Sequence, residues 1–147
     1  VETDGVFIAY ASIYGGTAAV AKKLADMLRA KGIPKVSIAD LCRDDKAEAV
    51  EDAFRMGRLV LAAASYDGDV FPPMHEFLHH LQLKGYRSRR VAIIENGSWA
   101  PSAARAIKAM LEPLKEIEII EPVVTIRSRM KQSDMPALER LAEQILK

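Results

Sequence analysis

Val6-Phe7-Ile8-Ala9-Tyr10-Ala11-Ser12-Ile13-Tyr14-Gly15-Gly16-Thr17 decides how the rest of the chain is read. Residues 6–10 form a short apolar run, the pattern of a strand buried on both faces. Gly15 and Gly16 interrupt it. Val20, Leu24, Met27 and Leu28 then recur at the spacing of one helical face, and Gly32 follows as a stop. A buried strand that passes through a glycine turn into an amphipathic helix opens a βαβ unit.

The alternation continues to the end of the chain. Residues 36–39 read as a second strand. Asp44 or Asp45 caps a helix with Ala47, Val50 and Phe54 on its inner face, closed by Gly57. Residues 59–64 are the third strand and the most apolar. Pro72 and Pro73 start a helix carrying Phe77, Leu78 and Leu81, since proline is tolerated in a first turn. Residues 91–94 are the fourth strand. Pro101 opens a helix with Ile107, Met110 and Leu111, ended or kinked by Pro113. Residues 117–126 contain the fifth strand, and Asp134 caps a last helix with Leu138, Leu141 and Ile145.

The order βαβαβαβαβα implies an α/β fold, with a parallel sheet between two helical layers. Right-handed crossovers leave few topologies, and five strands favour the order 2-1-3-4-5. Ligands then bind outside the carboxyl ends of the strands, where strands 1 and 3 meet. The chain has 147 residues, which corresponds to about one domain of roughly 150 residues. It shows no linker, repeat or low-complexity stretch. Half the residues are hydrophobic and the formal net charge is +1. That excludes intrinsic disorder and gives no global electrostatic case for nucleic acid or an anionic membrane. The longest apolar run is far too short to span a bilayer. A single cysteine, Cys42, fits a reducing compartment and is expected to be a packed or idle thiol.

The architecture singles out three loops. The first is Ser12-Ile13-Tyr14-Gly15-Gly16-Thr17. Its hydroxyls and the free N–H groups of the following helix turn can donate to a phosphate. No Lys follows the glycines, so it is not the loop of a nucleoside triphosphatase. Taken alone, it reads equally as an ordinary glycine turn with a hydroxyl cap. The second loop runs from Ser65 through Tyr66, Asp67, Gly68 and Asp69 to Pro72. The third is Glu95-Asn96-Gly97-Ser98-Trp99-Ala100-Pro101. These loops contain no Lys or Arg, so a phosphate there must be held by neutral donors and the helix dipole. Tyr14, Tyr66 and Trp99 offer flat apolar walls for a planar ring.

Three motifs in order resemble the flavodoxin-like domain of flavodiiron proteins, also called A-type flavoproteins. They are Ser12-Ile13-Tyr14-Gly15-Gly16-Thr17, Tyr66-Asp67-Gly68 with Phe71-Pro72-Pro73-Met74, and Asn96-Gly97-Ser98-Trp99-Ala100-Pro101. The resemblance covers the chain from Phe7 to the last helix. It implies a flavodoxin-like three-layer sandwich that binds FMN non-covalently for electron transfer. Ser12, Tyr14, Gly15, Gly16 and Thr17 would hold the phosphate, with Ile13 in the same loop. Tyr66, Asp67 and Gly68, preceded by Ser65, would line one side of the isoalloxazine and ribityl chain. Asn96, Gly97, Ser98 and Trp99 would form the other side. Family members often carry Ser-Pro-Thr where this chain has Ala63-Ala64-Ser65, which removes a hydroxyl and a rigid proline. Asp69 stands where glycine is common. A carboxylate close to the flavin edge would disfavour an anionic reduced flavin and lower the reduction potential.

Other patterns in the chain compete with this reading. His75-Glu76-Phe77-Leu78-His79 matches the zinc-protease H-E-x-x-H spacing, but a catalytic zinc needs a third protein ligand, so a helix face is expected and no metal. A phospho-acceptor receiver domain needs acidic residues where this chain has Tyr10-Ala11 and Ala64-Ser65. Lys84, Arg87, Arg89 and Arg90 around Tyr86 read as a solvated basic turn, with docking to an acidic partner surface as the alternative. No catalytic side chain is expected, because the cofactor supplies the chemistry. The resemblance implies a redox partner or a covalently linked diiron domain that reduces oxygen or nitric oxide; the reducing compartment that the single cysteine fits makes a cytoplasmic location the expectation. It leaves homo-oligomerisation of a full-length protein open. Val1 in place of Met is expected to mark a cut between this module and a catalytic domain upstream. A free-standing NAD(P)H-dependent flavin reductase and an FMN-free interaction scaffold remain as alternatives. Trp99→Ala is expected to weaken FMN binding; an unchanged affinity in a fluorescence titration would remove Trp99 from the site.

Overall fold

Side chains alternate across a strand, so a strand apolar on both sides must be covered twice. The computed structural model describes residues 3–12, 15–66, 69–97 and 101–147, and in it β1 (Thr3–Ala11) meets that demand. Val6, Ile8 and Tyr10 point into one core with α1 (Gly16–Ala30) and α5 (Met135–Leu146). Phe7, Ala9 and Ala11 point into the other, with α2 (Lys46–Arg55), α3 (Pro72–Leu83) and α4 (Ala103–Leu111). The same division runs through β3 (Met56–Tyr66) and β5 (Arg89–Asn96): Leu61 and Ile93 face one layer, Val60 and Ile94 the other.

With β2 (Val36–Asp40) and β6 (Ile117–Ile126), the main sheet has the order β2-β1-β3-β5-β6, all neighbours parallel. This is the expected 2-1-3-4-5 order and three-layer sandwich. One further strand, β4 (Asp69–Val70), pairs antiparallel with the end of β3, Ser65 opposite Val70 and Tyr66 opposite Asp69. The second loop is therefore a hairpin, which an apolar-run reading does not separate from a loop. The sheet register places Ala11 beside Ala63, Ala63 beside Glu95, and Asn96 beside Ile126. The loops after β1, β3, β5 and β6 thus leave the sheet at one edge.

Other details differ from expectation. Asp45 caps α2, its Oδ1 accepting from the Ala47 N–H at 2.8 Å. Ala47 is exposed, and Ala49, Val50 and Ala53 form the inner face. Gly57 does not close α2, because β3 begins at Met56. Arg89 does that work instead: its Nε donates to the Met56 carbonyl at 3.0 Å and Nη2 to the Phe54 carbonyl at 2.6 Å. Arg90 reaches the Gln144 and Ile145 carbonyls, and Arg58 also donates to Ile145. Cations at the last turn of a helix satisfy its orphan carbonyls and oppose its dipole. Arg89 and Arg90 are thus half-buried structural groups, and only Lys84 and Arg87 of that turn are exposed. Asp134 makes no side-chain cap to α5; its carboxylate accepts the Lys131 N–H and closes a 3₁₀ turn ahead of the helix.

Tyr86 lies wholly in the core, its ring edge-on to Phe54 at 5.2 Å and under Arg89 at 5.3 Å. Burial holds its ionisation far above the ordinary phenol value, with the Arg89 charge opposing. Its hydroxyl has no hydrogen-bond partner among the described residues. An unmet buried hydroxyl costs stability, so Tyr86→Phe is expected to stabilise the fold by about 1 kcal/mol. A lower urea midpoint for that variant would contradict it.

Candidate functional site

Every helix that starts at the carboxyl edge of a parallel sheet brings unpaired N–H groups there. Tracing their acceptors shows which start is open to a ligand. At α4, the Ser65 Oγ accepts the Ser102 N–H at 2.8 Å and the Ala103 N–H at 3.1 Å. Glu95 is buried; its Oε1 accepts the Ala104 N–H at 3.0 Å, and its Oε2 accepts the Thr125 hydroxyl at 2.7 Å. The Ser102, Ala103 and Ala104 N–H groups at the α4 start are thus claimed by protein. At α3, Pro72 and Pro73 have no N–H, and the Met74 N–H donates to Phe71. Asp45 serves α2, and the 3₁₀ turn serves α5.

α1 is different. Gly15 is its N-cap, with φ +87, and makes no side-chain cap to the helix. The first intrahelical acceptor is the Gly15 carbonyl, taken by Ala19. Among the described residues, no acceptor is paired with the Gly16, Thr17 or Ala18 N–H. Ser12 Oγ accepts the Gly15 N–H at 3.0 Å, which leaves its own proton free to donate outward. Thr17 is buried at the first turn.

The glycines have separate reasons. Gly15 supplies the left-handed backbone. Gly16 makes room for protein: a Cβ there would lie 2.0 Å from the Ser128 carbonyl oxygen and 3.1 Å from Asn96 Nδ2. The side chain of Asn96 is paired with the same residue, donating to the Ser128 carbonyl and accepting its N–H, each at 2.9 Å. The loop after β6 is therefore a fourth wall, which reading three loops missed. Its Arg127, Arg129 and Lys131 add basic residues after β6, outside the three loops. Lys131 itself donates to the Arg127 carbonyl. The basic run directly after the fifth strand was the available signal.

Across the edge, Tyr66 is 46% exposed and lies against Phe71, ring centroids 5.9 Å apart. The hairpin beneath them is fixed by Phe71 N–H to Ala64 carbonyl at 2.9 Å and by the Ser102 hydroxyl on the Asp69 carbonyl at 2.9 Å. One carboxylate oxygen of Asp69 accepts the adjacent Val70 N–H. Gly97 is required by packing, since a Cβ would come within 2.9 Å of Ser65 Oγ and 3.0 Å of Pro101 Cα. Of the expected site residues, Ser12, Gly15, Gly16, Thr17, Ser65, Tyr66, Asn96 and Gly97 are gathered at this edge. Ile13, Tyr14, Asp67, Gly68, Ser98 and Trp99 lie outside the described residues.

The other patterns take plain roles. Glu76 pairs with Lys46 at 2.6 Å across α2 and α3, and that lysine holds its carboxyl below the ordinary value. No group of three His, Cys, Asp or Glu is placed to hold a metal among the described residues. Cys42 is exposed rather than packed; partial burial of its sulfur raises its pKa, against a lowering contact from the Ser12 backbone. Among the described residues, no helix is long and apolar enough to cross a membrane.

No protein-family model and no curated protein matches the sequence. Solved structures do match. Over 98% of this chain and 35% of its own, rubredoxin oxygen:oxidoreductase from Desulfovibrio gigas superposes with a TM-score of 0.90 at 15% identity. The flavodiiron protein from Giardia intestinalis gives 0.82 at 15% identity over 99% of this chain and 37% of its own. A flavodoxin from Streptococcus pneumoniae gives 0.81 at 21% identity over 96% of this chain and 97% of its own. The fold is thus flavodoxin-like. The chain spans about a third of the length of the flavodiiron proteins and nearly all of that flavodoxin.

A methyl group inside a carbonyl contact forces backbone movement. Gly16→Ala is therefore expected to destabilise the fold by about 1–3 kcal/mol, while Gly15→Asn, compatible with a positive φ, costs less. Equal urea midpoints for the two variants would refute the packing role of Gly16.

Proposed function

We propose that the chain binds FMN non-covalently and works as an electron-transfer module, passing electrons to a diiron centre in a linked or separate domain that reduces oxygen or nitric oxide. One observation carries the reading. Among the described residues, only α1 has all of its first three N–H groups without a protein acceptor or a preceding turn to serve them. Such a helix start suits a phosphate, through aligned donors and a favourable dipole. The loop sequence, the flavodoxin-like fold and the exposed Tyr66 support the same reading.

The residues present fit FMN. Gly16, Thr17 and Ala18 would hold the phosphate through their N–H groups, with the Ser12 hydroxyl as a further donor. Tyr66, backed by Phe71, would give one face of the ring an aromatic wall. Asn96 and Gly97 would act by fixing the third loop, Asn96 through its double bond to Ser128. Ser65, whose oxygen already takes two N–H groups, has only its proton left for the ribityl chain. Bound FMN would supply one- and two-electron chemistry, and the chain would bind it, orient it and restrict water. No side chain is needed as a general acid or base. The cytoplasm, with its reducing thiol poise, is the compartment proposed.

The purified chain reconstituted with FMN is expected to retain visible flavin absorption after desalting, and to lose it in Ser12→Ala combined with Thr17→Val. A colourless protein after reconstitution would favour the interaction scaffold. Sustained oxidation of NADPH by the isolated chain would favour a free-standing reductase. In the same holoprotein, Asp69→Gly is expected to raise the reduction potential, because it removes a negative charge beside the ring site; a potential equal to or below that of the parent would count against a role for Asp69.

A further inference from the structure

One concavity among the described residues is not at the strand ends. It lies on the flank, between α2 and α3, with a volume of about 750 Å³, within the range of roughly 300–1,000 Å³ typical of small-molecule sites. Val50 and Phe54 of α2 form an apolar floor, and Phe54 is held edge-on by the buried Tyr86. The rim carries the cations Lys46 and Arg55 of α2 and Lys84, the C-cap of α3, with His80 of α3 beside them. Arg89 completes the wall, although its donors are spent on carbonyls. Glu51 is the carboxylate in this lining.

The rim cations are unevenly occupied. Lys46 is taken by Glu76, and one arm of Arg55 by Asp52. Arg55 Nε is buried and has no acceptor among the described residues, so Arg55 adds positive charge to the wall rather than an open Nε donor. Lys84 is exposed and takes part in no ion pair among the described residues. Apolar floor and unmet positive rim together select a ligand that is flat and apolar at one end and anionic at the other.

We propose that this groove binds a small aromatic anion, its ring over Val50 and Phe54 and its phosphate or carboxylate between Arg55 and Lys84. The site is separate from the α1 edge and does not depend on FMN binding there. The charge pattern also commits the groove to an acidic rather than a neutral or basic occupant.

The test is a titration of the full isotope-labelled chain, saturated with FMN, with naphthyl phosphate, naphthol and inorganic phosphate, followed by amide chemical shifts. Naphthyl phosphate is expected to shift Val50, Phe54 and Lys84 and to bind more tightly than either fragment. Lys84→Glu is expected to weaken it about fivefold, the scale of an exposed ion pair. Ala47→Trp, an exposed position in the lining, is expected to block it by filling the groove. Both variants keep the core intact, and circular dichroism checks this. Shifts confined to Gly15, Gly16 and Thr17 would mean the probe reads the phosphate loop and would overturn the proposal. So would equal affinity for naphthol, no saturation at millimolar probe, or shifts at these residues only with an acidic peptide, which would assign the groove to a protein partner. Should the chain fail to hold FMN, the same titration without it still decides the groove.

Discussion

The sheet has no free face, and the rest of the molecule follows from that constraint. Each central strand supplies two sets of apolar side chains, and each set needs its own helical layer. A slip of one residue would turn both sets to the wrong layers. The register is therefore fixed along β1, β3 and β5, and with it the points where the chain leaves the sheet. Ser12, Ser65 and Gly97 share one edge because Ala11, Ala63 and Glu95 are neighbours in the pleat.

At that edge the decisive property is which backbone donors the protein has already used. A buried N–H must find an acceptor. Ser65, expected as a ligand contact, and Glu95 of the third loop are spent on the first turn of α4. Arg89 and Arg90, which read as surface charge, close the ends of α2 and α5. The residues left over define the candidate site better than the residues that merely line it.

The fold was largely legible because double-sided burial writes continuous apolar runs, and helices write a 3.6-residue period. Strand order, the proline starts of α3 and the Asp45 cap follow from such local signals. Three things were not legible. β4 is two residues long, below the length at which alternation can be seen. The end of α2 depends on Arg89, a long-range partner, so Gly57 offered a false stop. Gly16 is small for the sake of Ser128, and no local pattern reports a contact with the far end of the chain. The site was legible as a set of loops, but the division between used and unused donors depends on partners far apart in the sequence, such as Ser65 with Ser102 and Glu95 with Thr125.

The contact between Gly16 and Ser128 also has a temporal meaning. A chain emerging from the ribosome presents its first loop long before the segment after β6 exists. β1, α1 and β2 can pair early, but the wall that Ser128 and Asn96 build beside α1 comes only when the last strand docks on β5. The candidate phosphate seat is thus completed only after the last strand of this sheet is made. A fragment lacking β6 would keep the quoted opening motif intact and still lack the pocket that motif announces.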